Sequence, residues 1–241
     1  MPENFRLWFE TIFNVTYLTV MWWLVIAMQR RLPKLIKETY PLARLIVAAF
    51  ALLALGDSGH VGFRVLALAL GNPESTVSIA GYPMRLVALG TLATTVTVTV
   101  FYVLILAIWR QRFNKTYGWF EILLLTAAVV RMIMMMLPAN EWNASMPPQP
   151  WATYRNIPLI VQGLGVAFLI LRDAYREKDR AFIQIGYMIL VSYAFFIPVI
   201  LFVQKMPLIG MLMIPKTLAY VAIAVIAYRQ IFKAKTDTKN A

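Results

Sequence analysis

The sequence predicts an all-helical integral membrane protein with seven transmembrane helices, the N-terminus outside and the C-terminus in the cytoplasm. Three observations carry this. The 241 residues are 61% apolar and 14% charged, against roughly 45–50% and 25% in soluble domains. The apolar residues fall into seven runs near the length a bilayer core demands, about 20 residues at a 1.5 Å rise. The basic residues gather in short clusters between alternate runs. No polar, Gly-rich or Ser-rich linker divides the chain, so residues 1–241 read as a single polytopic membrane domain.

The runs lie at about residues 9–28, 42–70, 86–109, 119–137, 157–171, 181–203 and 207–232. The first is long enough to span, and Met1-Pro2-Glu3-Asn4 lacks the basic segment of a cleavable signal peptide. The second is unusually long and carries glycines, and the fifth is short.

Orientation follows from the basic residues. One side receives Arg30, Arg31, Lys34, Lys37 and Arg44, and then Arg110, Arg112 and Lys115. It also receives Arg172, Arg176, Lys178 and Arg180, followed by Arg229, Lys233, Lys235 and Lys239. The other side receives Arg6, Arg85, Arg155 and Lys205. Every loop agrees, and the well-charged side is the cytoplasmic one. This pattern also accounts for the net charge of +12 without any nucleic acid partner. Trp8, Trp142 and Trp151 fit an outer aromatic belt, and Trp109 and Trp119 an inner one. The longest outer loop, residues 139–155, is stiffened by Pro147, Pro148 and Pro150 and carries the glycosylation sequon Asn143-Ala144-Ser145.

With no cysteine and a single histidine, His60, the chain has no means to build disulfides, thiolate zinc sites, iron–sulfur clusters or multi-histidine metal sites. No cofactor is expected from these residues. A homo-oligomer is compatible with the sequence.

Helices 3 and 7 end alike. Trp109-Arg110-Gln111-Arg112-Phe113 parallels Tyr228-Arg229-Gln230-Ile231-Phe232, each after a run holding a tyrosine, Tyr102 or Tyr220. Two parallel three-helix units joined by helix 4, a 3+1+3 repeat, would explain the echo. That layout is similar to the sugar-efflux and vitamin-uptake transporters built as two triple-helix bundles. The resemblance is topological, and the proline–glutamine motif of such families is missing here. An aromatic-Arg ending also marks any helix that reaches the cytoplasmic interface.

The polar residues inside the runs are the functional signal. Ionisable groups in a bilayer cost about 2.5–3.5 kcal/mol each and normally face an interior or a watery cavity. Counting 1.5 Å per residue from the basic ends puts Asp57, Arg131 and Lys216 at roughly 20 Å. Asn14 and His60 come out near 24 Å, Thr97, Ser192 and Tyr193 near 18–20 Å, and Gln162 near 15 Å, all as rough depths. Residues of all seven helices thus share one layer, as they would if they met around a site.

Helix 2 holds the densest part, Gly56-Asp57-Ser58-Gly59-His60-Val61-Gly62-Phe63-Arg64. Asp57, His60 and Arg64 share one helical face, and the glycines lie toward the other, where they admit a close neighbour or a local break. Asp57 can neutralise one of Arg131, Lys216 or Arg64, with Glu10 and Glu141 near the outermost of them. About two positive charges remain, costly unless an anion visits. The substrate-binding residues expected are Asp57, His60, Arg131, Lys216, Asn14, Gln162 and Tyr193. A structural pair between Asp57 and Arg131 or Lys216 would use the same residues differently. Arg64 is expected to snorkel outward, Glu121 to be solvated at the inner boundary, and the threonines Thr91, Thr94, Thr95, Thr97 and Thr99 to bond back to their own helix.

Other chemistries fit less well. Gly56-Asp57-Ser58-Gly59 matches a serine-nucleophile string, but on a helix Ser58 and His60 point about 200° apart, so His60 is no base for it. Lys216 in a seventh helix is similar to the retinal-binding lysine of rhodopsins. That resemblance implies retinal on Lys216, with Tyr193, Phe195, Phe196 and Pro198 flanking a polyene. Position 212 is Leu where the microbial kind has an acid, helix 6 lacks tryptophan, and Pro215 precedes the lysine. The run from Met132 to Met136 reads as flexible apolar filler rather than soft-metal ligation. The expectation is a multi-pass transporter or permease of the cell membrane for a small anionic or zwitterionic molecule, often one bearing a carboxylate. The alternatives are a ligand- or light-sensing seven-helix receptor and a membrane enzyme acting on a lipid-like substrate.

Overall fold

The computed structural model describes residues 3–72, 74–79, 81–144 and 147–233, and for residues 3–8 the backbone alone. Lys235, Lys239, Ser145 of the sequon, and the side chains of Arg6 and Trp8 lie outside the described residues. The described residues are 81% helical and include seven helices long and apolar enough to cross a membrane.

Helix α1 spans Glu3–Arg31, α2 Tyr40–Ala69, α3 Leu86–Phe113, α4 Trp119–Met136, α5 Ile157–Arg176, α6 Arg180–Phe202 and α7 Met213–Ala227. Most helices outrun their apolar stretches. Backbone hydrogen bonding continues through Arg30–Arg31, Arg110–Phe113 and Arg172–Arg176, where hydropathy has already fallen. Residues 207–232 are not one regular helix. A 3-10 segment, Pro207–Leu212, leads into α7, and a π segment, Tyr228–Lys233, follows it. Pro207 opens the tight segment, where its missing N–H costs nothing.

A two-stranded hairpin joins α2 to α3: β1, Thr76–Ile79, pairs antiparallel with β2, Tyr82–Arg85. Gly81 between them has φ of 85°, which a glycine adopts without strain. The hairpin is pinned to the loop after α4. Asn143 accepts from the Arg85 backbone N–H at 3.0 Å and donates to the Pro83 carbonyl at 2.8 Å. The sequon asparagine thus spends its amide on a structural tie.

Side chains around the bundle's outside are apolar. Leu55, Ile122, Val129, Ile133 and Met136 are exposed, Met136 by 83%. Water would make such a surface unfavourable and lipid would not. The basic ends gather at one end of the bundle. Arg112 pairs with Asp179 at 2.6 Å, and Arg172 with Asp173 at 2.8 Å. The Arg31 guanidinium lies 5.2 Å from the Tyr228 ring centroid.

Trp109 does not join an aromatic belt. It is 1% exposed, and its indole N–H donates to Asp173 at 2.9 Å, linking α3 to α5. Glu121 is buried too, not solvated. Its carboxylate accepts from the Gly118 backbone N–H at 2.8 Å and closes the first turn of α4.

Helices α2 and α3 pack most extensively, followed by α6 and α7. The α2–α3 contact depends on absent side chains. A methyl group at Gly56 would collide with Thr97, and one at Gly90 would stand 2.9 Å from the His60 Cα. The glycines thus serve the close-approach role, and α2 runs unbroken through them. Behind this contact lies an aromatic layer. Phe101 packs edge-on against Phe50, Tyr102 and Tyr220, with ring centroids 5.3–5.7 Å apart, and Tyr193 packs on Tyr102.

Candidate binding cavity

One face of α2 builds the main wall. Leu53, Asp57, His60, Val61 and Arg64 recur at helical spacing along a cavity of about 470 Å³. Glu10, Asn14 and Tyr17 face them from α1, and Thr91, Thr94 and Thr95 from α3. Helix α4 contributes Arg131, α5 Leu159, α6 Phe196 and α7 Lys216, Thr217 and Tyr220. All seven spanning helices therefore line it. The volume suits a small molecule. The cavity reaches Arg64 and the Pro207–Leu212 segment, both far along the chain from the basic ends. On the other side it stops at Leu53 and Tyr220, where the aromatic layer begins.

Asp57 is not ion-paired. Its carboxylate accepts from the Tyr17 hydroxyl at 2.6 Å and from the Thr94 hydroxyl at 2.8 Å. Among the described residues no salt bridge joins it to Arg131, Lys216 or Arg64. The structural pair that the sequence allowed is absent among the described residues, and a hydroxyl from α1 and one from α3 each meet one carboxylate oxygen.

Arg131 is 2% exposed and bonded entirely to neutral acceptors. Its Nε–H donates to the Arg155 carbonyl at 3.1 Å. Nη1 donates to the Thr95 carbonyl at 3.2 Å and the Thr99 hydroxyl at 2.5 Å, and Nη2 to the Asn156 side chain at 3.2 Å. One N–H of the guanidinium is left for the cavity it lines.

Lys216 is differently placed. Its Nζ stands 4.1 Å from the Phe196 ring centroid and 5.8 Å from that of Tyr220. Among the described residues no acceptor or carboxylate reaches it. Aromatic faces stabilise a desolvated cation by about 2 kcal/mol, less than its desolvation costs.

His60 lines the wall with its Nδ1 buried and without a hydrogen-bond partner among the described residues. Arg64 is exposed and still borders the cavity. Gln162 and Tyr193 do not line it. Gln162 is fully buried in the packed face of α5, with neither amide atom bonded, and nothing in the structure explains that. Tyr193 packs over Gly163 and donates to the Leu159 carbonyl at 2.8 Å. Glu141 is also away from the cavity, at a left-handed turn with φ of 42°. Ser58 accepts from the Trp22 indole and donates to the Ala54 carbonyl, so it has no nucleophile geometry.

Sequence reasoning missed several members, Tyr17 and Arg155 among them. Tyr17 lies one turn beyond Asn14 on the same face of α1, a spacing that could have revealed it. Arg155 gave no such signal, since it follows a single helical turn, Trp151–Tyr154, in the connection between α4 and α5. Its guanidinium lies 4.5 Å from the Trp142 ring centroid and donates to Asn140 at 3.3 Å. The threonines divide. Thr91, Thr95, Thr97 and Thr99 bond to carbonyls of their own helix, and Thr94 turns to Asp57.

Four cationic side chains, Arg64, Arg131, Arg155 and Lys216, thus border the cavity against two carboxylates, Asp57 and Glu10. Among the described residues no three His, Asp or Glu side chains group as metal ligands would. Compared with known proteins, the chain matches no family model, no curated protein and no solved structure.

Proposed function

We propose that the chain is a multi-pass transporter or permease of the cell membrane for a small anionic or zwitterionic molecule. The observation that carries this is Lys216, an ammonium with no acceptor among the described residues, in a cavity where cations outnumber carboxylates. A half-buried charge on that wall is incompletely hydrated, and an anion that visits offsets the loss. Lys216 is the principal ligand contact, Arg131 adds its remaining N–H, and His60, Asn14 and Asp57 shape the same wall. Residues 1–241 act as one membrane domain, N-terminus outside and C-terminus cytoplasmic, on the charge pattern of the loops. The cavity then opens outward, with the aromatic layer closing its inner side. Such one-sided access is what alternating-access transport requires. A 3+1+3 repeat rests on the like endings of the third and seventh runs, Trp109-Arg110-Gln111-Arg112-Phe113 and Tyr228-Arg229-Gln230-Ile231-Phe232.

The test is uptake by the purified protein in liposomes, using labelled small carboxylates and amino acids. Wild type should accumulate at least one of them saturably, and Lys216→Gln should not. A compound that raises thermal stability and is never taken up would favour the receptor instead.

A further inference from the structure

Two opposite charges share this cavity without meeting. Asp57 and Lys216 both line it, and no ion pair joins them. In a low-dielectric interior, opposite charges within reach of each other attract strongly. Here each is held by something else: Asp57 by two hydroxyls, Lys216 by two aromatic faces.

Both keep spare bonding capacity. A carboxylate accepts about four hydrogen bonds, and Asp57 receives two. Among the described residues no acceptor takes the N–H groups of Lys216, and one N–H of Arg131 is likewise left. A simple anion would serve the cations and leave Asp57 repelling it. A simple cation would serve Asp57 and meet Lys216. A molecule with both charges satisfies both walls. The same lining also includes the apolar side chains of Leu53, Val98, Leu159 and Ile214.

We propose that the ligand is a small zwitterion of the amino-acid type with an apolar side chain. Its carboxylate sits on Lys216 and the remaining Arg131 N–H, and its ammonium sits on Asp57. This rests on the reading of the cavity as a ligand site and narrows the class of ligand.

Three matched compounds test it on the purified full chain by calorimetric titration: leucine, isocaproate, which lacks the amine, and isoamylamine, which lacks the carboxylate. Leucine should bind at least about tenfold more tightly than either, the loss expected for one charged hydrogen-bonded contact. Asp57→Asn should bring leucine down to the level of isocaproate, and Lys216→Met should abolish binding of both. If wild type binds isocaproate as tightly as leucine, the zwitterion is wrong and the carboxylate site stands. If isoamylamine binds best, or none of the three binds, both readings fall. The wild-type comparison decides even if Asp57→Asn does not fold.

Discussion

Replacing Lys216 with Met is expected to make the protein more stable and unable to bind a carboxylate. The ammonium has no acceptor among the described residues, only the rings of Phe196 and Tyr220. Lys216 is half-buried in the cavity wall and gives up part of its hydration there, and the aromatic contact returns up to about 2 kcal/mol of that loss. Methionine keeps the apolar stem against Phe196 and removes the charge, so a gain of at most about 1 kcal/mol follows. Thermal unfolding of the purified variant, with and without ligand, checks this. A less stable variant that still binds would mean that Lys216 is a structural residue. Function and stability are expected to oppose each other here, as they do where a site is held ready for an absent partner.

Arg131→Met should do the reverse and cost about 3 kcal/mol or more, because it removes a buried charge that is fully engaged. Arg131 joins α4 to α3 through Thr95 and Thr99, and to the start of α5 through Arg155 and Asn156. Its removal leaves the Arg155 carbonyl and the Asn156 amide without their donor. Arg131→Lys should rescue little, since an ammonium cannot reproduce the planar fork that meets these acceptors. Denaturant unfolding in detergent measures both variants. A loss of ligand binding at unchanged stability would instead make Arg131 a ligand residue first. The sequence treated Arg131 and Lys216 as equivalent cations at one depth, and the hydrogen bonds separate them.

Depth counting reads distance along a helix that is regular between its basic end and the residue concerned. Asn14, Asp57, His60, Arg131 and Lys216 were assigned to one layer, and all five line the same cavity. The method says how far along a helix a residue sits, not which way it faces. Gln162 and Tyr193 share the layer and turn into packed core instead. Burial could not be read for Glu121 or Trp109 either. Their partners, the Gly118 N–H and Asp173, decide it, and Asp173 is remote in sequence. Arg155 and the hairpin of Thr76–Ile79 and Tyr82–Arg85 escaped because hydropathy carries little information in short polar connections. The glycines of α2 were legible as a smooth stripe, and it is the missing side chain at Gly56 that lets Thr97 come so close.

The most direct test of the central claim, an electropositive cavity open to the outside, uses a chain that has no cysteine of its own. Thr217 lines the cavity beside Lys216, and Thr217→Cys places one thiol there. Intact cells are exposed to a sulfonate-bearing and a trimethylammonium-bearing methanethiosulfonate, each rate taken relative to the same reagent with a free thiol in water. The cysteine should react from outside and favour the anionic reagent, and adding Lys216→Met should remove the preference. No reaction from outside, or a preference for the cationic reagent, would contradict the account.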